Sequence, residues 1–501
     1  MHLLSGISSA LWNARGNEMK FFYSVLVILA ATQASAVGRK VPTKFKDAAL
    51  KIPATVESYF QPNQIESQQF VEAKKAEWKA CHKTRHSETS IGRSDSLKRF
   101  LQTNSMMVNL VEMETKDLLS AEASVRPWSG DYWPYSHGIL GARFQDSFFV
   151  DLTNWKSRYD YIQKNPASRR IQQLHQGGVK TLSAAEKYDL IIGDDQYSFS
   201  QSMWTQGKTY YDENGKVEDW MGICHGWASA AIMEPRPVNT ITVKSYDQKW
   251  QVPLVPSEIK GLVSYSWATN SYPTSTLGAR CNIKNPKKDK DGRIIDPDCF
   301  DLNPGMWHIA MVHLLGVYHR SFVMDATYDY EVWNQPIMNY SYNYYNVQTG
   351  ERELSFNEAV LAREMYADDP FSKHRSKDTK MIVGIVMKVG YVVENMATSQ
   401  ATDSEDGDVT RWVEYTYDLE LNNDFEIIGG EWRSNAHPDF IWIPKAGAQP
   451  LSQMDRELSP LDWNPEDSIP REWADAAQFG SINGVILNRL THSFLERSTQ
   501  K

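Results

Sequence analysis

A thiol, an imidazole and a carboxylate occur in the chain order Cys224, His308, Asp325. Cysteine-based nucleophilic catalysis needs this set: the sulfur attacks, a histidine takes its proton, and a third group holds the histidine. Cys224 stands in Trp220-Met221-Gly222-Ile223-Cys224-His225-Gly226-Trp227-Ala228-Ser229-Ala230-Ala231, behind the polar approach Asp212-Glu213-Asn214-Gly215. The Ala-rich run favours helix. The order predicts a thiol at a helix N-terminus, where unpaired backbone N–H groups and the helix dipole favour the thiolate. A small thiol buried under a helix would leave the same pattern.

The elements that must position the other two members are read from hydrophobic pattern. Trp307-His308-Ile309-Ala310-Met311-Val312-His313-Leu314-Leu315 is a near-continuous apolar run of strand length, and 321–325 reads as a second strand. If Gly316-Val317 closes a two-residue turn, Leu315 pairs with Tyr318. His308 then lies opposite Asp325, with β-carbons about 5 Å apart. His313 faces Arg320 on the other side. This register predicts His308, rather than His313 or His319, as the base. Taken alone, such a pair is better explained by a structural histidine near a strand-end aspartate. The helix-terminal cysteine upstream favours a triad.

The chain has 501 residues, of which 41% are hydrophobic and 12% aromatic, a size that allows two to four domains with substantial cores. No internal repeat is evident. The stretch 19–30 is a short basic start followed by an apolar run, and Ala34-Ser35-Ala36 is a small-x-small cleavage site. Together they predict a secretory signal peptide over 1–36, with Met19 as a candidate true start. The apolar run is too short to span a bilayer comfortably, so no membrane association is expected once it is cleaved. Cleavage would leave 51 basic against 61 acidic residues, a balance of −10 from −9. An acidic secreted protein has no electrostatic reason to bind nucleic acid or anionic lipid.

Four cysteines remain: Cys81, Cys224, Cys281 and Cys299. In an oxidising compartment they allow three pairings as two disulfides. Cys281 and Cys299 flank a polar Gly/Pro-containing loop, which suits a local disulfide worth about 3 kcal/mol. Cys224 would then be a reactive thiol and Cys81 an odd one.

Residues 37–125 read as a polar helical N-terminal lobe or pro-segment. At Arg126 the composition shifts to Pro127-Trp128-Ser129-Gly130-Asp131-Tyr132-Trp133-Pro134-Tyr135, rich in aromatics and turn formers, and a boundary is placed there. Ser183-Ala184-Ala185-Glu186 is a capping box. Short strands are predicted at 239–246 and 251–255, and an antiparallel meander at 381–396, 410–421 and 425–432. The catalytic domain is placed at 126–450, with a C-terminal extension at 451–501.

Several segments carry a family resemblance. They are the 127–134 run, Gly222-Ile223-Cys224-His225-Gly226-Trp227-Ala228, Asn303-Pro304-Gly305-Met306-Trp307-His308, Gly430-Glu431-Trp432 and His437-Pro438-Asp439-Phe440. To these is added Val332-Trp333-Asn334-Gln335-Pro336, which is similar to the surface peptide that plant hosts detect. Across 126–450 the chain resembles the secreted transglutaminase elicitor family of oomycetes and marine bacteria. The resemblance implies an α+β fold with a papain/transglutaminase-like core and an antiparallel sheet. It also implies a calcium-dependent cysteine acyltransferase that joins glutamine to lysine or other amines on protein substrates through a thioester. By position, Cys224 would be nucleophile, His308 base and Asp325 its partner. The residue after Cys224 is a histidine, where animal transglutaminases and papain-like peptidases have an aromatic. Glu218 stands where those peptidases carry an oxyanion glutamine. The expected oxyanion donors are therefore the Cys224 N–H and the Trp220 indole.

The loop 289–298 is the calcium candidate. Asp289, Asp291 and Asp298 fall at positions three, five and twelve of an EF-type loop, but position one is Lys287, so it is not an EF-hand. A solvated acidic loop fits equally. A papain-like peptidase, a glutamine deamidase and a non-catalytic surface protein remain alternative readings of the whole.

Overall fold

A computed structural model describes residues 97–101, 103, 105–278, 287, 302–326, 332–433, 437–459, 463–464 and 467–500. The signal peptide, Cys81, the Cys281–Cys299 pair and the calcium candidates Asp289, Asp291 and Asp298 lie outside these residues.

The helices used below are α1 (Leu110–Thr115), α2 (Ala184–Ile192), α3 (Cys224–Met233), α4 (Pro256–Thr269), α5 (Pro304–Met311), α6 (Arg471–Ile482) and α7 (Asn488–Thr499). The strands are β1 (Ser120–Glu122), β2 (Ile241–Lys244), β3 (Gln251–Leu254), β4 (Thr274–Gly278), β5 (Val323–Asp325), β6 (Asn334–Tyr345), β7 (Met381–Val393), β8 (Val409–Leu421), β9 (Ile427–Trp432) and β10 (Phe440–Pro444). The main sheet runs β9-β8-β7-β6-β5-β10-β4, with β1 also on β6, and every pairing in it is antiparallel. This is the expected α+β class.

The meander forms where period-two alternation is longest. β7 and β8 pair from Val409↔Val393 to Leu421↔Met381. Val413, Tyr415, Tyr417 and Leu419 of β8 are all buried. The two predicted short strands form, as β2 and β3, and pair antiparallel as a separate two-stranded sheet. The Ser183–Glu186 capping box opens α2, joining the orphan N–H groups of its first turn to side-chain oxygens.

Two cores result. One gathers α2, α3, α4, α6 and α7 around Tyr188, Trp227, Leu262, Trp473 and Phe494. The other lies against the sheet around Trp307, Tyr342, Val389 and Tyr417, and it includes Phe100, Leu101, Leu110 and Met113. The described part of the N-terminal stretch, α1 and β1 among it, is thus built into this second core. α3 belongs to the first core and begins near the start of β6.

One expectation is overturned. The 307–315 run is not a strand: it forms α5 and a following π-helical turn, Val312–Val317. The run is buried on every side, and an all-round apolar segment has no period from which to tell strand from helix. The deciding signal precedes it. Asn303 caps α5, accepting from the N–H groups of Gly305 and Met306, and Pro304 occupies the first turn, a position where its missing N–H costs nothing. No Gly316-Val317 hairpin exists, and the partner of Asp325 across the β5–β6 ladder is Asn334. The proposed His313–Arg320 pair falls with it: the Arg320 guanidinium donates to the Pro444 carbonyl at 2.6 Å.

Candidate active site

α3 starts at Cys224, as its sequence predicts, with Ile223 as the cap residue and no side chain capping its first turn. α3 and α4 pack closely because residue 226 is glycine: a β-carbon there would overlap the Ser264 carbonyl oxygen and Ala268. Cys224 is buried. His225 turns away from it, with Nε2 3.4 Å from the Ala268 carbonyl.

The sulfur meets the start of β6. The Asn334 amide Nδ2 donates to Sγ at 3.4 Å, while its Oδ1 accepts from the Trp442 indole at 2.7 Å. That indole can only donate, so it fixes which end of the amide faces the sulfur. The Sγ lies 3.7 Å from the Val332 carbonyl. Asp325, buried at the end of β5, accepts from the Trp333 N–H at 3.1 Å, and Ala326 N–H donates to the Trp333 carbonyl at 2.9 Å. Asp325 therefore anchors Trp333, the residue before the Asn334 that meets the thiol. On the next residue, the Gln335 amide donates to both oxygens of Glu394 at 3.1 and 2.9 Å. Trp333 packs against Tyr132, ring centres 5.4 Å apart.

The segment Val332-Trp333-Asn334-Gln335-Pro336 thus lines this site. Its similarity to a surface peptide does not make it a surface element here, since Asn334, Gln335 and Pro336 are buried.

Electrostatics run against a resting thiolate. Burial, then the charges of Glu394 and Asp325, push the Cys224 thiol up to about 11, while side-chain and backbone hydrogen bonds from Asn334 oppose the rise. The helix terminus favours an anion, but desolvation and two carboxylates outweigh it. At neutral pH the site holds a thiol. Glu394 itself, buried at the end of β7, is raised by desolvation to about 7, with its Gln335 hydrogen bonds opposing. It has the acidity of a base matched to neutral pH.

His308 does not join Cys224 and Asp325. It sits in the sheet-side core, Nδ1 2.8 Å from the Tyr417 hydroxyl and its ring 4.7 Å from that of Tyr342. Tyr342 is eight residues along β6 from Asn334, roughly 25 Å at strand rise. Burial lowers His308 to about 3 with no charged group acting on it. His313 accepts from the Met107 N–H, and His319 lies by the Glu122 carbonyl. The structure brings together Cys224, Asp325 and Asn334, and leaves all three histidines elsewhere.

Two neighbours have no role in the sequence reading, Glu394 and Asp131. Glu394 carried a legible signal, a charge ending the apolar run Val389–Val393 apart from Gly390 and Tyr391. Trp220 is buried in the loop leading to Cys224. Among the described residues no group of three or more His, Cys, Asp or Glu could hold a metal ion, and no helix is long and apolar enough to cross a membrane.

The transglutaminase elicitor family model matches residues 95–455. Among solved structures, the chain is similar to the GP42 transglutaminase from Phytophthora sojae: 22% identity over 70% of this chain and 90% of that one, with a TM-score of 0.47. No curated protein matches this chain at a significant level.

Proposed function

Because the chain belongs to the transglutaminase elicitor family, we propose that it is a secreted cysteine acyltransferase linking protein glutamine to lysine or other amines. The observation that carries this reading is Cys224 Sγ at the N-terminus of α3, against the oriented amide of Asn334. Sγ attacks the glutamine side-chain carbonyl carbon. The carbon–nitrogen bond breaks, ammonia leaves with the thiol proton, and a thioester remains. An amine then attacks the thioester, and sulfur leaves as the thiol. Water in place of the amine gives deamidation.

His308, His313 and His319 pair elsewhere and the His225 ring turns to the Ala268 carbonyl, so a carboxylate is the proton acceptor in this reading. Glu394 fits that task by its acidity, and Asp325 fits holding Trp333, the residue before Asn334. The Asn334 Nδ2, with the Cys224 N–H and the Trp220 indole, would face the oxyanion.

Incubation with a fluorescent amine and casein tests the reading. Label incorporated into casein is expected. New N-termini would indicate a peptidase, and ammonia release without label a deamidase.

Calcium dependence is proposed from the family resemblance, with Asp289, Asp291 and Asp298 as candidate ligands, and no step above is routed through the ion. A chelator should lower both label incorporation and thermal midpoint. If both are unchanged, calcium plays no part.

A further inference from the structure

The aromatic run 127–135 grips the loop before Cys224 at three points. The Tyr132 hydroxyl donates to the Asp219 carbonyl at 2.8 Å, the Tyr135 N–H donates to the Met221 carbonyl at 2.8 Å, and the Tyr132 carbonyl accepts from the Ile223 N–H at 2.7 Å. The last bond lies one residue from the thiol. Gly222 allows the approach, since a β-carbon there would overlap the Tyr132 carbonyl oxygen. Tyr132 also meets Trp333 of the opposite wall, so both walls of the site converge on it.

What fixes Tyr132 is the residue before it. Asp131 Oδ1 accepts from the Trp133 N–H at 2.8 Å, folding the chain back around Tyr132. Its Oδ2 accepts from the Ala397 N–H at 3.1 Å, and the Asn395 N–H donates to the Gly130 carbonyl at 2.9 Å. The turn is thereby tied to the segment that leaves β7 immediately after Glu394. Trp133 is held at φ 48°, a left-handed conformation that bulky residues adopt only when the surroundings impose it.

We propose that Asp131 is a positioning residue for Cys224: its two oxygens lock the turn whose Tyr132 carbonyl holds the Ile223 N–H and so sets the thiol against Asn334. Both oxygens must accept, so the carboxylate is the competent form, and protonation converts one acceptor into a donor. Desolvation raises Asp131 to about 6, with its two backbone hydrogen bonds opposing. The titratable groups that Asp131 acts on are its neighbour Tyr132 and Glu394 just after β7; Asp219 on the gripped loop and Cys224 on α3 act in turn on Tyr132, and Arg411 on β8 acts on Glu394. Arg158 interacts electrostatically with Tyr132 and Asp219.

The proposal rests on Cys224 as the reacting group, and two measurements separate its failure from failure of the functional reading. In the full chain, Asp131→Asn keeps one acceptor and loses the other. It should lower kcat for amine incorporation at least tenfold at pH 7.5, with KM within about twofold. The ratio of wild-type to variant kcat should narrow toward one below about pH 6, where the wild-type carboxyl is also protonated. A pH-independent ratio, a change in KM alone, or a loss that tracks the unfolded fraction would overturn the proposal. Hydrogen exchange on the wild-type peptide spanning 219–227 needs neither activity nor a variant. Corrected for intrinsic rates, its protection should fall between pH 7 and pH 5. Unchanged protection would also overturn the proposal, even if no transferase activity is found.

Discussion

Cys224→Ala should reduce amine incorporation by at least about a thousandfold while the protein stays folded. The nucleophile of a covalent mechanism has no substitute, and residues that act as a unit lose nearly all of their effect when one is removed. The structural cost is small by comparison. The side chain is buried but contributes one sulfur atom, its partner Asn334 Nδ2 loses a weak acceptor, and its Oδ1 remains held by Trp442. A cost of about 1 kcal/mol is expected, a shift of a few degrees for a chain of this size. Incorporation retained above about a thousandth of wild type, measured with fluorescent amine and casein, would remove Cys224 from the mechanism.

Glu394→Gln should move stability and activity in opposite directions. Glu394 titrates near 7 in the fold against an ordinary 4.5. The folded state therefore binds the proton more tightly than the unfolded chain. Stability is lost as pH rises through the window from about 4.5 to about 7, and the loss is complete above it. That displacement corresponds to about 3 kcal/mol. Glutamine carries no charge to desolvate and keeps an acceptor for the Gln335 amide. Urea midpoints should show the variant about 1–3 kcal/mol more stable at pH 8 and level with wild type at pH 4. Removing the Glu394 charge also lowers the thiol, so alkylation of Cys224 by iodoacetamide at pH 8 should quicken. Amine incorporation should nevertheless fall by about a hundredfold or more, the usual weight of a proton acceptor. If incorporation rose together with alkylation, Glu394 would be a brake on the thiol and not the group that takes its proton.

What could be read from sequence divides along a physical line. The meander was legible because Val413, Tyr415, Tyr417 and Leu419 of β8 alternate with polar residues, and alternation is local. The start of α3 was legible because a glycine approach and an alanine run act within a few residues. His308 failed for the opposite reason: its segment is apolar on all sides, so period carried no information, and the cap at Asn303-Pro304 was the only local evidence of helix. The site itself depends on non-local registry. Asn334 meets Cys224 because β5 and β6 pair with Asp325 opposite Asn334. Glu394 and Asp131 meet only after β7 has crossed the sheet. The segment 332–336 was singled out, but its place beside the thiol follows from that pairing and from Trp442. The helix-terminal thiol was anticipated, whereas its protonated state was not, because burial and two distant carboxylates decide it.

The most direct test of the account is the covalent intermediate. A blocked glutamine peptide should be mixed with the full chain without an amine acceptor, quenched in acid, and followed by intact and peptide-level mass spectrometry. An adduct equal to the peptide less ammonia is expected, mapped to Cys224, cleaved by hydroxylamine and absent from Cys224→Ala. An adduct on another residue, or turnover of the peptide with no adduct under conditions where deacylation limits the rate, would contradict this mechanism.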